Sequence, residues 1–141
     1  MGFDGKHELL LALSEDAMGR TAERLRALAA EQTAPFDQLG AVVRELFERC
    51  RPGGVGYQGP LLSGQPHEVR EASAPLLALF TELMTEWERA GLLRPGFGAR
   101  RAAALTVRTV MFNARTSDPD EEHPLTADEV WDFCAHGLTG E

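Results

Sequence analysis

The residues that most often carry chemistry are scattered along this chain. Its four histidines are His7, His67, His123 and His136. None forms an HExxH pair, and no two stand at the four-residue spacing that puts both imidazoles on one helix face. Cys134 and His136 are two apart, so a helix points them to different faces. Cys50 and Cys134 have no CxxC partner and sit in apolar helical patterns, so they read as small buried apolar residues in a reducing cytosol. The run Asp118-Pro119-Asp120-Glu121-Glu122-His123 could attract a hard cation, but it lacks the central glycine and ligand spacing of an EF-hand loop. It reads as a solvated loop. The glycines of "GGVGYQGP", residues 53–60, precede neither the lysine nor the helix start that cradling a phosphate requires, and read as a flexible turn. No GxSxG, GxxxxGK[ST] or GxGxxG occurs. The carboxylates fall mainly on solvent faces or in the acidic loop, not as a pair sharing a cleft. The expectation is a protein that is not an enzyme and holds no metal or cofactor.

The apolar chemistry is more informative. Phe47, Tyr57, Phe80, Met84, Trp87, Met111 and Phe112 recur within helical patterns. They either fill a core or line an apolar cavity between helices, a usual ligand site in helical proteins. From this set, with Thr109 added, the candidate ligand contacts are Phe47, Tyr57, Phe80, Met84, Trp87, Thr109 and Phe112. Arg108, Thr109 and Asn113 place polar groups in a helix that is otherwise apolar on one face. Spacing leaves open whether they face solvent, pair across an interface or orient a ligand.

The elements that must position these residues are all helices. Residues 6–31 carry Leu10, Leu13, Ala17, Leu25 and Leu28 as one stripe, in a helix of roughly 25 residues and roughly 37 Å. Residues 34–50 place Phe36, Leu39, Val43, Leu46 and Cys50 three and four apart, as a buried face requires, with Pro35 suited to a first turn. Residues 53–66 are broken by glycine and proline, with room for one short turn over 57–62. The helical period returns over 67–90 with Val69, Ala72, Leu76, Phe80, Leu83 and Trp87. Pro75 inside it predicts a kink or a break, and Gly91 a stop. A further helix covers about 98–116. The last, "ADEVWDFCAHGL", starts at a capping box of Thr126 and Glu129 and is stopped by Gly137 and Gly140. No alternating strand and no repeat is present. The fold class is all-α, five to six helices, in one domain.

Two of these helices suggest a partner. Ala103, Val107, Val110 and Ala114 on one, with Val130, Trp131, Cys134 and Leu138 on the other, give two apolar stripes. Paired with their symmetry mates, they would form a four-helix dimer interface. The alternative is that both stripes cover the core of a single chain. The formal net charge of -8 argues against broad binding of nucleic acid or anionic membrane by this chain alone. There is no basic segment leading an apolar run and no apolar stretch of membrane-spanning length, so a cytoplasmic protein is expected.

The order of elements resembles a TetR-family transcriptional regulator lacking its DNA-binding head. "GFDGKHELLLAL" resembles the family's joint between the DNA-reading helix and the fourth helix, an aromatic-Phe-x-x-Lys-x-x-Leu pattern matched here by Phe3, Lys6 and Leu9. Gly2 stands where the pattern has an aromatic. "AGLLRPGFGARRAAALTVRTVMFNAR" resembles the eighth helix and its approach, and "LTADEVWDFCAHGL" the ninth. The resemblance implies an effector domain that binds a small hydrophobic molecule between its central helices and dimerises through its last two, with the ligand shifting the spacing of two DNA-binding heads. It implies a phosphate contact for Lys6 in the intact protein. Residues 1–5 are then the remnant of a junction to a missing helix-turn-helix head, and 6–141 the effector-binding and dimerisation domain of a repressor. Operator DNA would be reached only through that head. The alternative is a headless helical protein that pairs with a full-length regulator.

Overall fold

A computed structural model describes residues 2–53, 66–118 and 120–140. The described residues form five helices: α1 (Gly2–Ala30), α2 (Pro35–Cys50), α3 (Pro66–Arg89), α4 (Ala99–Arg115) and α5 (Ala127–Thr139). No strand occurs among the described residues, so the chain is all-α as expected. Tyr57 and the turn over 57–62 lie outside the described residues, as do the side chains of Phe3, His7, Leu10 and Val69.

The helix α2 is the hub. Pro35 opens it with a preset φ. Leu39, Gly40, Val42, Val43, Leu46, Phe47 and Cys50 are all buried on it, because neighbours cover it on several sides: α1, α3, α4 and α5 each pack against it. The short link from α1 is held by Gln38, whose Nε2 donates to the carbonyls of Ala29 and Gln32 at 3.2 and 3.0 Å. The Ala29 carbonyl also accepts the Gln32 backbone N–H at 3.1 Å, so the side chain of Gln38 ties the turn after α1 to the start of α2.

Helix α3 runs unbroken through Pro75, so of the kink or break expected there the break is absent. Its far end carries Trp87, whose Nε1 donates to the Pro35 carbonyl at 2.9 Å. Gly91 follows at φ +74°, a left-handed turn open to glycine. The capping box of α5 forms as read: Thr126 Oγ1 accepts from the Glu129 backbone at 3.1 Å, and Glu129 Oε1 accepts from the Thr126 backbone at 3.0 Å. The helix ends at Gly140, φ +83°, while Gly137 lies inside it.

The helix α1 departs from the sequence reading in two ways. It begins at Gly2, so Asp4 and Gly5 are helical and no turn precedes Lys6. Its buried stripe is Met18, Thr21, Ala22, Leu25 and Ala29. Leu13 is 56% exposed, with Leu9 at 60%. Of the expected stripe, Leu25 is buried, Ala17 and Leu28 are half-buried and Leu13 is exposed; the buried positions that α1 does show lie in its C-terminal half, where α2 and α3 pack against it.

Candidate functional site

The helix α4 presents three different surfaces, and each is dictated by position around the helix. At 100° per residue, Ala102, Ala103, Thr106, Val110 and Ala114 turn inward and are buried, joined by Val107. On one flank lie Ala104, Val107, Arg108, Met111, Phe112 and Arg115, which face Arg70, Ser73 and Leu77 of α3 across a groove of about 320 Å³. On the other flank Thr109 and Asn113 face Leu125, Glu129, Val130 and Phe133 across a shallower hollow of about 290 Å³ toward α5. Between the flanks, the outward ridge carries Leu105 and Phe112, 51% and 55% exposed.

The α3/α4 groove has an apolar floor and a basic rim. Leu77, Ala104, Val107 and Met111 supply the floor. Arg70, Arg108 and Arg115 supply the charge, and no carboxylate among the described residues lines the groove. Among the described residues none of the three arginines forms an ion pair. The Arg115 guanidinium lies over the Phe112 ring, 5.3 Å from its centroid, an attractive cation–π geometry. Ser73 adds a hydroxyl on the same face of α3, one turn from Arg70 and one from Leu77.

The structure redistributes the residues singled out in the sequence. Phe112 lines the groove, whereas Phe47, Phe80, Met84 and Trp87 are fully buried in the core and line neither cavity. Trp87 stacks on Phe36 at 5.6 Å and meets Trp131 edge-on at 6.1 Å, and this aromatic cluster knits α2, α3 and α5 together. Thr109 belongs to the α4/α5 hollow, not to the groove. Ala103, Val107, Val110, Ala114, Val130, Trp131, Cys134 and Leu138 are all buried inside the single chain, because α2 and α3 offer the surfaces they need. The apolar residues that α4 and α5 leave open are Leu105, Phe112 and Phe133, the last 76% exposed.

Reading the sequence by its most apolar stripes missed Arg70, Ser73, Leu77, Ala104 and Arg115. A signal for part of the groove was present. Arg101, Arg108 and Arg115 recur every seven residues on α4, a spacing that keeps them on one side of a helix. Leu105 and Phe112 share the same interval.

Both thiols are buried, Cys50 and Cys134, and burial pushes each up to about 11. They are held as neutral thiols, so they offer neither nucleophile nor metal ligand near neutral pH. Among the described residues no group of histidines, cysteines and carboxylates converges to hold a metal ion. No described helix is long and apolar enough to cross a membrane.

No family profile matches the chain, and no curated protein does. Solved structures do. The apo form of AibR aligns with a TM-score of 0.70 at 19% identity, over 95% of this chain and 74% of AibR. AibR in complex with isovaleryl coenzyme A and operator DNA aligns with 0.68 at 18%, over 95% and 75%. A TetR/AcrR-family transcriptional regulator from Thermobifida fusca YX-ER1 aligns with 0.64 at 21%, over 93% and 71%. At these identities the likeness establishes the fold: this chain has the helical fold of TetR/AcrR-type regulators.

Proposed function

We propose that the chain is the ligand-sensing and dimerisation part of a TetR-like transcriptional repressor. In this reading the α3/α4 groove takes a small effector with a hydrophobic part, and the outer face of α4 and α5 is the homodimer contact. A head attached before α1 reads operator DNA, with Lys6 touching phosphate. The neighbours support the assignment of class, since one of them is a regulator seen with isovaleryl coenzyme A and operator DNA together.

The observation that carries the reading is the position of Phe112. It is part of the groove lining and also stands on the exposed ridge beside Leu105. A ligand that seats against Phe112 therefore acts on the helix face through which two copies would meet. That is the kind of shared element through which one site biases another. A ligand that favours one rotation of α4 shifts the relative placement of the two chains, and with it the spacing of two heads.

The test is a titration with N-phenyl-1-naphthylamine, a neutral apolar dye that fluoresces when buried. Wild-type protein is expected to bind it, and Ala104→Trp, which fills the groove from a half-exposed position, is expected to lose binding by tenfold or more. Equal binding by both proteins would sink the groove as effector site. Sedimentation of the wild type as a monomer at micromolar concentration would sink the dimer contact.

A further inference from the structure

We infer that the groove between α3 and α4 is built for an anionic amphiphile: a short apolar group on the floor, with a carboxylate, phosphate or similar anion held by Arg70, Arg108 and Arg115. The inference deepens the reading of this groove as the effector site and rests on it. Three observations carry it. First, the chain has 22 acidic and 14 basic side chains, a formal net charge of -8, yet among the described residues the lining holds three arginines and no carboxylate. A surface drawn at random from this composition would place acid there. Second, Arg70, Arg108 and Arg115 form no ion pair among the described residues, whereas Arg20, Arg26, Arg44, Arg51 and Arg89 each meet a carboxylate at 3.0 Å or less. Arg24, Arg94, Arg100 and Arg101 are also without an ion pair there, but only Arg70, Arg108 and Arg115 share one groove, where their guanidiniums are open to an anion from outside the chain. Third, the floor beneath them is apolar and only about 320 Å³ in volume, at the small end of ligand pockets. It suits a short branched or aromatic group and not a long chain.

Guanidinium is suited to this role, because its planar fork of donors matches a carboxylate or phosphate with two parallel hydrogen bonds. The groove's two halves then divide the work. Leu77, Met111 and Phe112 accept the apolar part, and the arginines select the charge. A cationic ligand of the same size is rejected by three like charges.

The experiment pairs two dyes that share one hydrophobic frame: neutral N-phenyl-1-naphthylamine and its sulfonate, 8-anilino-1-naphthalenesulfonate. Each is titrated into the 141-residue chain, into Ala104→Trp, and into the triple variant Arg70→Gln/Arg108→Gln/Arg115→Gln. The expected result is that the sulfonate binds at least tenfold more tightly than the neutral dye in 20 mM salt, with the advantage shrinking in 0.5 M salt as charge is screened. The triple variant is expected to erase the advantage, the two dyes then binding within about threefold of each other at either salt concentration, a loss of charge selectivity that a merely structural role for the arginines would not produce. Equal affinities in the wild type, or an advantage that survives in the triple variant, overturn the anionic ligand while leaving the groove as an apolar site. Binding of both dyes that ignores Ala104→Trp overturns the groove itself. Benzoate and phenyl phosphate, as competitors of the bound sulfonate, separate the two anion classes. Displacement by either, and not by benzyl alcohol, supports the inference, and displacement by neither counts against it.

Discussion

Single residues set the limits of this core. Gly40 sits in the middle of α2, where glycine weakens a helix by about 1 kcal/mol relative to alanine. A Cβ there would lie 3.0 Å from Cε2 and from Nε1 of Trp131. The indole has little freedom to retreat, since it is buried and holds Phe36 edge-on at 5.2 Å. The crowding should therefore outweigh the gain in propensity, as overpacked cores lose about 1–3 kcal/mol. Gly40→Ala is expected to lower the thermal midpoint by about 3–5 °C, and Gly40→Val by more; a calorimetric scan of both variants checks this. The buried thiols give a second expectation. Their folded values near 11 exceed the unfolded value of about 8.5, so the folded state keeps protons that the unfolded state loses. Their contribution is fully present below about pH 8.5 and declines as pH rises toward 11. A tenfold difference in proton affinity between the two states corresponds to about 1.4 kcal/mol, so urea midpoints should fall steeply across that window. The fall should be shallower in the Cys50→Ala/Cys134→Ala variant.

At the scale of elements, the chain was legible where a helix has a well-defined start, stop and covered face, and less so where the coverage comes from elsewhere in the chain. The bounds of α2 and the capping box of α5 followed from Pro35, Thr126 and Glu129 because those signals are local. The faces of α4 and α5 did not follow, because an apolar stripe says only that something covers it. Ala103 and Val110 could equally have met a second chain; in the single chain they are covered by its own helices. The residues left over, Leu105, Phe112 and Phe133, looked ordinary as sequence since isolated apolar residues are common on surfaces. The groove was hidden for a related reason: Arg70 and Arg108 lie 38 positions apart, and only the packing of α3 on α4 brings them together. If α4 and α5 form the homodimer contact, Phe133 contributes burial in both copies, about 1.5–3 kcal/mol each. Phe133→Asp should then raise the dimer dissociation constant by two to four orders of magnitude, as read by analytical ultracentrifugation. Because the side chain is exposed in the single chain, the circular dichroism of the resulting monomer should remain helical. Val110→Asp would instead bury a charge in the core and unfold the chain.

At the scale of the whole molecule, α1 is the element that would carry a signal out of the domain. It has 29 residues and a length of about 43 Å. Among its described side chains the buried ones lie in the C-terminal part, from Met18 through Thr21, Ala22, Leu25 to Ala29, with Arg26 tied to Glu82 of α3 by an exposed ion pair that adds little more than orientation. Before Met18, the side chains of Lys6, Glu8, Leu9, Ala12 and Leu13 are exposed. Helices of this length owe most of their stability in water to packing of one face, so the two halves should differ in how readily they open. Hydrogen exchange is expected to show amides of residues 6–14 exchanging at least 100-fold faster than those of 20–28 in the 141-residue chain. Leu9 and Leu13 are one turn apart and form a single apolar edge. If that edge is the seat of a DNA-reading head, a longer version carrying such a head should protect residues 6–14 while leaving 20–28 unchanged. If both halves exchange alike in the present chain, the first half of α1 is already covered, and a lever from the groove to a head through this helix is excluded. If the gradient is present but an attached head does not remove it, the exposed edge has a different partner, and the head hangs from a flexible end unable to feel the groove.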